Sequence, residues 1–427
     1  METVIVIGAG IAGLTTAHEL SKNNKSVIVL EAGKRLGGRI YTLNSGGFSS
    51  PVELGAEFIH GELENTLNLL KQAGIQYHPV KGEMFHVRRG KIVNENVFSD
   101  QWDELMRQMK SIKKDKPLSD FLRECFSDDK YKDLKESVRR FAEGFDLADI
   151  TKASTLSLYN EWCTESGTQY RIDGGYQTLV DYLEVECKKY NCAIYNDSCI
   201  KKIGWKENEV RVTTVNGEHF KANKIVVTVP LSVLQAEERE PQYIEFTPGI
   251  NPYILASKNV GFGTVIKIVL EFNEPFWQKI DSDIGFAFTG EKMSTWWTQL
   301  PKQNYILTGW LGGTKALAFD GAPDTEILAE SLSSLSSAFA IDLNVLKDKL
   351  KAAAIINWKD TPHIAGGYSY DTPQSIAAKN LLNKPIQKTI YFAGEGVHEG
   401  ISLGTVEAAI ISGKKAALKI LYAAISE

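Results

Sequence analysis

Short unbroken apolar runs stand at Val4-Ile5-Val6-Ile7, Val27-Ile28-Val29-Leu30, Ile225-Val226-Val227 and Ile390-Tyr391-Phe392. Each ends near a glycine, a proline or a charge, the texture of strands buried on both faces. A helical period follows the first run from Ile11. Residues 65–74 carry Leu67, Leu69, Leu70 and Ala73 and stop at Gly74, which predicts another helix. From about residue 84 to 171 charged helical segments dominate, at 101–113, 118–126 and 131–143. A helix through Leu179, Leu183 and Cys187 follows Gly174-Gly175-Tyr176. Strands are expected at 192–195, 209–215 and 219–221, with Asn216-Gly217 as a hairpin turn. Lys224 opens the third buried run and Pro230 stops it. Beyond Pro252, Val265–Phe272 alternates as a half-buried strand carrying Lys267, and Glu274-Pro275-Phe276-Trp277 turns the chain. Residues 305–311 read as a strand, 324–339 as a helix, 389–395 as a buried strand and 405–421 as a closing helix.

These textures predict an α/β fold with an α+β second domain. A Rossmann-type dinucleotide-binding domain (residues 1–80, 172–252 and 362–427) is interleaved with a mixed sheet-and-helix substrate domain (81–171 and 253–361). The 427 residues suffice for two or three cores. Composition, 43% hydrophobic and 24% charged, is that of an ordinary globular protein. A net charge of −5 disfavours nonspecific nucleic-acid binding and speaks only weakly for a cationic substrate. The run 110–116 reads as a solvated helix end. Five cysteines (Cys125, Cys163, Cys187, Cys192, Cys199) lack a Cys-x-x-Cys pair, so buried free thiols are expected, with neither disulfide nor metal site. The first strand begins too early for a signal peptide, and no apolar run approaches the roughly 18 residues of a membrane span. Residues 416–425 are apolar and read as a packed helix. A cytoplasmic protein, monomer or homodimer, is the expectation.

The chemistry begins at Gly8-Ala9-Gly10-Ile11-Ala12-Gly13, between the first strand and the first helix. Gly8 permits the tight turn, Gly10 lets backbone approach a pyrophosphate, and Gly13 lets helix pack on strand. The helix aims its N–H groups and positive dipole end at phosphate. Glu31, closing the second strand, suits ribose hydroxyls. Alone this hexapeptide matches many unrelated chains. Strand before, helix after and acid at the right spacing make it a dinucleotide fingerprint. Ala32 leads into Gly37-Gly38-Arg39, where backbone would pass close to a cofactor with Arg39 near a phosphate. Far downstream, Gly394-Glu395 ends a strand, and a helix begins after Gly404. A second binding element so distant suits a longer cofactor, FAD rather than NAD.

The chain then closely resembles the flavin-containing amine oxidases, a family of monoamine oxidases, polyamine and spermine oxidases, and lysine-specific histone demethylases. The resemblance spans nearly the whole length, through V-I-G-A-G-I-A-G-L…V-L-E-A…G-G-R, G-A-E-F-I-H-G at 55–61 and G-T-V-I-K with E-P-F-W at 263–277. N-W…G-G-Y-S-Y at 357–370 and F-A-G-E…T-V-E-A-A at 392–409 complete it. It implies that Gly8, Gly10, Ile11, Ala12, Gly13, Glu31, Ala32, Gly37, Gly38 and Arg39 hold the adenosine and pyrophosphate of FAD. It places Ile200 at the adenine, Glu395 with Gly394 at the ribityl or pyrophosphate portion, and Gly55, Ala56, Thr405 and Val406 near the flavin. Lys267 matches the lysine that in this family reaches flavin N5 through a water. Trp358 matches a tryptophan lying against the flavin, and Tyr368 one wall of the aromatic approach. Without those neighbours a lone strand lysine would read as solvent-exposed, and His60 as structural.

Departures from the family pattern shape the expected site. Gly367 stands where monoamine oxidases carry the cysteine that binds flavin, so FAD is expected to be noncovalent. Thr405 stands where monoamine and plant polyamine oxidases have a second aromatic, though spermine oxidases and histone demethylases also have threonine. His60 matches animal polyamine and spermine oxidases, while Glu57 and Phe58 replace the residues usual there. No long helical insertion of the kind that recruits a chromatin partner is seen. The resemblance thus implies oxidation of a primary or secondary (poly)amine to an imine, hydrolysed to aldehyde, with dioxygen reduced to hydrogen peroxide. Small amines and dioxygen are then the partners, with no nucleic acid and no membrane. An L-amino-acid oxidase, which needs an arginine for the substrate carboxylate, a desaturase, and a flavoprotein acting through a protein partner are the rivals.

Overall fold

The computed structural model describes residues 2–93, 101–164 and 167–423. Its centre is a five-stranded parallel sheet, in the order Ala193–Tyr195, Ser26–Leu30, Thr3–Ile7, Lys224–Val227 and Ile390–Phe392. Val4, Ile5 and Val6 are wholly buried, as strands flanked by layers on both faces must be. The helix Ile11–Lys22 makes the first crossover and packs against the closing helix Val406–Ala423. That packing is backbone-close: a Cβ on Gly413 would lie 2.5 Å from the Ala12 carbonyl oxygen. Thr16 bridges the same contact, its hydroxyl reaching the carbonyls of Ala12 (2.8 Å) and Gly413 (3.1 Å). Residues 424 and 425 of the apolar C-terminal stretch lie outside the described residues. The final strand is shorter than expected, because Gly394 at φ +145° turns the chain into the short helix Glu395–Val397.

A four-stranded sheet contains the expected hairpin around Asn216-Gly217 together with Ile200–Lys206 and Glu245–Thr247. A seven-stranded sheet runs Leu350–Asn357, Val265–Phe272, Ile306–Gly312, Thr295–Trp297, Ile284–Thr289, Glu83–Arg88 and Lys91–Val93. Its last two strands open the segment, from about residue 84, in which helices were expected to dominate. Glu83–Arg88 pairs locally with Lys91–Val93 and in parallel with Ile284–Thr289, a remote partner that its own sequence does not reveal. The expected helices form at Trp102–Ser111, Leu118–Cys125 and Lys132–Gly144, with Thr155–Thr164 in addition. They bury Leu105, Met109, Phe121, Leu134, Val138 and Trp162 in a core of their own.

A correction concerns Val265–Phe272, which is buried at every position and not half-buried. Ile266, Ile268 and Leu270 pack under the helix Asp324–Phe339, while Val265 and Val269 face Trp358, Val52 and Leu54. Both faces are covered, so Lys267 and Glu271, written at polar positions of an alternating strand, lie inside. All five cysteines are free, but Cys125 and Cys163 are exposed, which corrects the expectation that all are buried. Among the described residues no helix is long and apolar enough to cross a membrane.

At Gly13 a Cβ would lie 2.0 Å from the Gly8 carbonyl oxygen and 2.8 Å from Thr228 Oγ1. Backbone cannot yield there as a flexible side chain would. Gly13→Ala is therefore expected to lower stability by about 1–3 kcal/mol, read as an earlier urea midpoint. An unchanged midpoint would mean that the helix can lift from the strand at no cost.

Candidate active site

One cavity of about 1450 Å³ runs from the glycine turn of the parallel sheet to the aromatic face of the seven-stranded sheet. That exceeds the roughly 300–1,000 Å³ of an ordinary small-ligand pocket, so it has room for a long cofactor and a substrate together. Nearly every residue expected at the site lines it: Gly8, Gly10, Ile11, Ala12, Glu31, Ala32, Gly37, Gly38, Arg39, Gly55, Ala56, His60, Ile200, Lys267, Trp358, Tyr368, Gly394, Glu395, Thr405 and Val406. Gly13 does not. It faces the strand behind, toward Gly8 and Thr228.

The dinucleotide end is a cradle of backbone. A Cβ built on Gly10 or on Gly394 meets no protein atom within 4 Å, so both glycines border open space. The helix Ile11–Lys22 has no side-chain cap at Gly10, leaving its first N–H groups to whatever occupies that space. Glu31 is oriented by its own turn: Oε2 accepts the Ala9 N–H at 2.7 Å and Oε1 that of Gly33 at 2.8 Å. Gly37 N–H reaches the Ala9 carbonyl at 2.9 Å and draws the second glycine loop against the first. Arg39 Nη1 donates to Glu395 Oε1 (2.6 Å) and to the Gly367 carbonyl (2.8 Å), joining the chain's two ends across the cavity. Its Nε and Nη2 make no hydrogen bond to the described residues. These features, open glycines, an uncapped helix start and an acid closing the second strand, fit an adenine dinucleotide.

The other end is aromatic. His60, on the short strand Ile59–His60, contacts Phe145 edge-on at 5.9 Å and Phe58 at 6.1 Å. Burial among these rings pushes its imidazole down to about 4, so it is neutral at pH 7. Tyr368 lies near-parallel to Trp310 at 6.4 Å, and its hydroxyl donates to the Phe145 carbonyl. Trp310 follows to Trp297 at 6.1 Å, and Trp297 to Phe58 at 5.5 Å. Thr405, at the position of the missing second aromatic, caps the closing helix by accepting the Ala408 N–H at 3.2 Å. Trp358 is buried, its indole N–H on the Leu54 carbonyl (3.0 Å) and its backbone N–H on the Val265 carbonyl (3.1 Å).

Lys267 Nζ sits between these ends, donating to the Gly55 carbonyl at 3.0 Å and to Glu57 Oε2 at 2.7 Å. Sequence reasoning assigned no role to Glu57, Arg171, Trp297 or Trp310. Glu57, three residues before His60, carried the one available signal, an ionisable residue where the family pattern has others. Arg171, Trp297 and Trp310 come from strands whose pairing alone brings them here. Glu53 lies nearby. Burial first of all raises its carboxyl to about 7, against the Tyr176 N–H and the Thr42 hydroxyl, which favour the ionised form. None of the described residues forms a group able to hold a metal ion.

The raised Glu53 group fixes a sign. Below its ordinary value of 4.5 it is protonated both folded and unfolded and contributes nothing. Between 4.5 and about 7 the native state holds a proton that the unfolded chain has lost, so stability falls as pH rises. The difference in urea midpoint between wild type and Glu53→Gln should thus change between about pH 5 and about pH 8, in the direction that penalises wild type at the higher pH. A constant difference would mean that Glu53 ionises normally.

A sequence model described as "Flavin containing amine oxidoreductase" matches residues 11–421. Human Lysine-specific histone demethylase 2 is 27% identical over 98% of this chain and 53% of its own length. Arabidopsis thaliana Lysine-specific histone demethylase 1 homolog 3 is 27% identical over 98% of this chain but 30% of its own length. The chain thus spans little more than half, or less, of these demethylase relatives. Polyamine oxidase 4 of Oryza sativa subsp. japonica is 27% identical over 97% of this chain and 88% of its own length. Among solved structures, wild-type putrescine oxidase bound to putrescine superposes with a TM-score of 0.80, at 18% identity and 99% coverage of both chains. Cyclohexylamine oxidase from Brevibacterium oxydans gives 0.79 at 19% identity and the same coverage. The latter two likenesses establish the fold; the match along almost the whole chain establishes more, and the chain belongs to the flavin-containing amine oxidoreductase family.

Proposed function

We propose that this protein is an FAD-dependent oxidase of primary or secondary amines, polyamines included, yielding an imine that water hydrolyses to an aldehyde, with hydrogen peroxide formed from dioxygen. The observation that carries the reading is the single cavity that joins the open-glycine cradle to Lys267, Trp358 and an aromatic wall. Residues 1–80, 172–252 and 362–427 form the cofactor-holding part on this reading, and 81–171 with 253–361 the substrate part. FAD is held without a covalent bond. Of the five cysteines only Cys199 lines the cavity, and at Gly367 a Cβ would already lie 2.5 Å from Leu147 Cδ1.

When bound, FAD supplies the two-electron acceptor for the C–N oxidation and returns those electrons to dioxygen. The chain's own residues do the rest. Phe58, Phe145, Trp297, Trp310 and Tyr368 exclude water from the amine, and a low-dielectric wall favours the neutral amine over the ammonium. His60, kept neutral by burial, can accept a hydrogen bond from the amine at an imidazole nitrogen. Lys267 has three N–H donors, of which Gly55 and Glu57 take two. The third is left for the cavity, where a water would be held and oriented. The polyamine and putrescine oxidase relatives support an alkyl amine as substrate, and the demethylase relatives a methylated lysine amine.

A peroxide-coupled assay across monoamines, diamines, polyamines, a methyl-lysine peptide and L-amino acids tests the reading. Peroxide from an amine supports it, whereas oxidation of L-amino acids alone, or of nothing, sinks it. In Lys267→Met we expect FAD content to stay at wild-type level while turnover falls about tenfold or more. Wild-type turnover in that variant would remove Lys267 from the reaction. His60→Ala should cost polyamines more than monoamines in kcat/KM. An equal loss would make the histidine a wall residue only.

A further inference from the structure

Glu57 is the most heavily used carboxylate at the site. Its Oε2 accepts Lys267 Nζ at 2.7 Å, and its Oε1 accepts Arg171 Nε and Trp297 Nε1, each at 3.0 Å, with Gln299 Nε2 at 3.4 Å. The side chains of Lys267, Glu57 and Arg171 are 1%, 4% and 7% exposed. Burial works against a charged Glu57, yet Lys267 and Arg171 hold its carboxyl below the ordinary range. Arg171 is itself anchored, donating from Nη1 to the Leu300 carbonyl (3.1 Å) and from Nη2 to that of Thr298 (2.9 Å). A rigid line therefore runs from backbone carbonyls through Arg171 to Glu57 and on to Lys267. Without Glu57 two cations would share a dry wall with no counter-charge.

We infer that Glu57 is a positioning residue, whose carboxylate, clamped by Arg171 and Trp297, holds Lys267 as an ammonium with one N–H left for the cavity. For its effect on turnover this rests on the amine-oxidase reading above. For the state of the lysine it does not.

The test is nitrogen NMR of the full-length, FAD-loaded protein labelled at lysine, joined to kinetics. Wild type should show an Nζ ammonium resonance protected from solvent exchange, identified by its loss in Lys267→Met. Glu57→Gln should shift that resonance and abolish its protection. An unchanged resonance overturns the inference. With an amine that the assay identifies, Glu57→Gln should lower kcat about 10- to 100-fold with KM altered by no more than about threefold, and should add nothing in the Lys267→Met background. A loss confined to KM, or one that adds fully to that of Lys267→Met, also overturns it. Should Glu57→Gln not fold, Glu57→Asp keeps the charge and retracts it by one methylene. It is expected to give a weaker shift and a smaller loss, and wild-type values of both would count against Glu57. If no amine is oxidised, the functional reading fails while the resonance still decides the role of Glu57.

Discussion

Burial of both faces of Val265–Phe272 is the constraint that the rest of the site answers to. The strand carries two charges, Lys267 and Glu271, on the face covered by residues 40–58. A lone ion in such a layer costs several kcal/mol even after relaxation, roughly. The covering segment must therefore supply partners: Ser49 N–H at 2.7 Å for Glu271, which also takes Lys351, and Glu57 with the Gly55 carbonyl for Lys267. That segment is in turn held to the dinucleotide end. Arg35 donates to the Gly38 and Ile40 carbonyls, and Arg39 reaches across to Glu395. Charge pairing thus docks the seven-stranded sheet onto the glycine cradle and sets Lys267 at the join.

The parallel sheet and its cradle were legible in the sequence because their signals are local. Strand, glycine turn, helix and acid lie within Thr3–Ile7, Ile11–Lys22 and Ser26–Leu30, and each glycine's reason can be stated from backbone geometry. The helix Asp324–Phe339 is legible for the same reason. Period and ends lie within one segment. What could not be read is what remote pairing decides. Glu83–Arg88 joins the sheet through the remote Ile284–Thr289, and the burial of Lys267 depends on a segment some two hundred positions earlier, at |i−j| 210 to Glu57. The resemblance marked Lys267 as a site residue without its partners. Glu57 and Arg171 depart from or lie outside the quoted motifs, so neither periodicity nor pattern could join them.

Arginine commitment differs along the cavity. A substrate carboxylate needs a guanidinium free to meet it in a fork. Arg35 is spent on backbone carbonyls and Arg171 on Glu57, Leu300 and Thr298, while Arg39 commits only Nη1, to Glu395 and Gly367. Arg139, toward the helical side of the cavity, already forks onto Glu136. Arg140, which also lines the cavity, donates only from Nε to the Glu136 carbonyl at 3.4 Å, so a carboxylate beside Arg171 would have to break a pair that one beside Arg140 would not.

The same pairing bears on which protonation state of an amine the site accepts. Lys267 and Arg171 face the carboxylate of Glu57, with the Glu53 carboxyl, raised to about 7, nearby, and Lys267 lines the cavity. His60 contributes no charge at pH 7, and the rings around it offer little to replace water. An ammonium approaching Lys267 therefore meets a like charge in a low dielectric, where repulsion is stronger than in water. A neutral amine meets no such barrier, and it alone has the nitrogen lone pair that C–N oxidation requires. On this reading the charge that fixes the lysine also selects the reactive form of the substrate, so that holding Lys267 and discriminating between amine and ammonium are two consequences of one buried cluster.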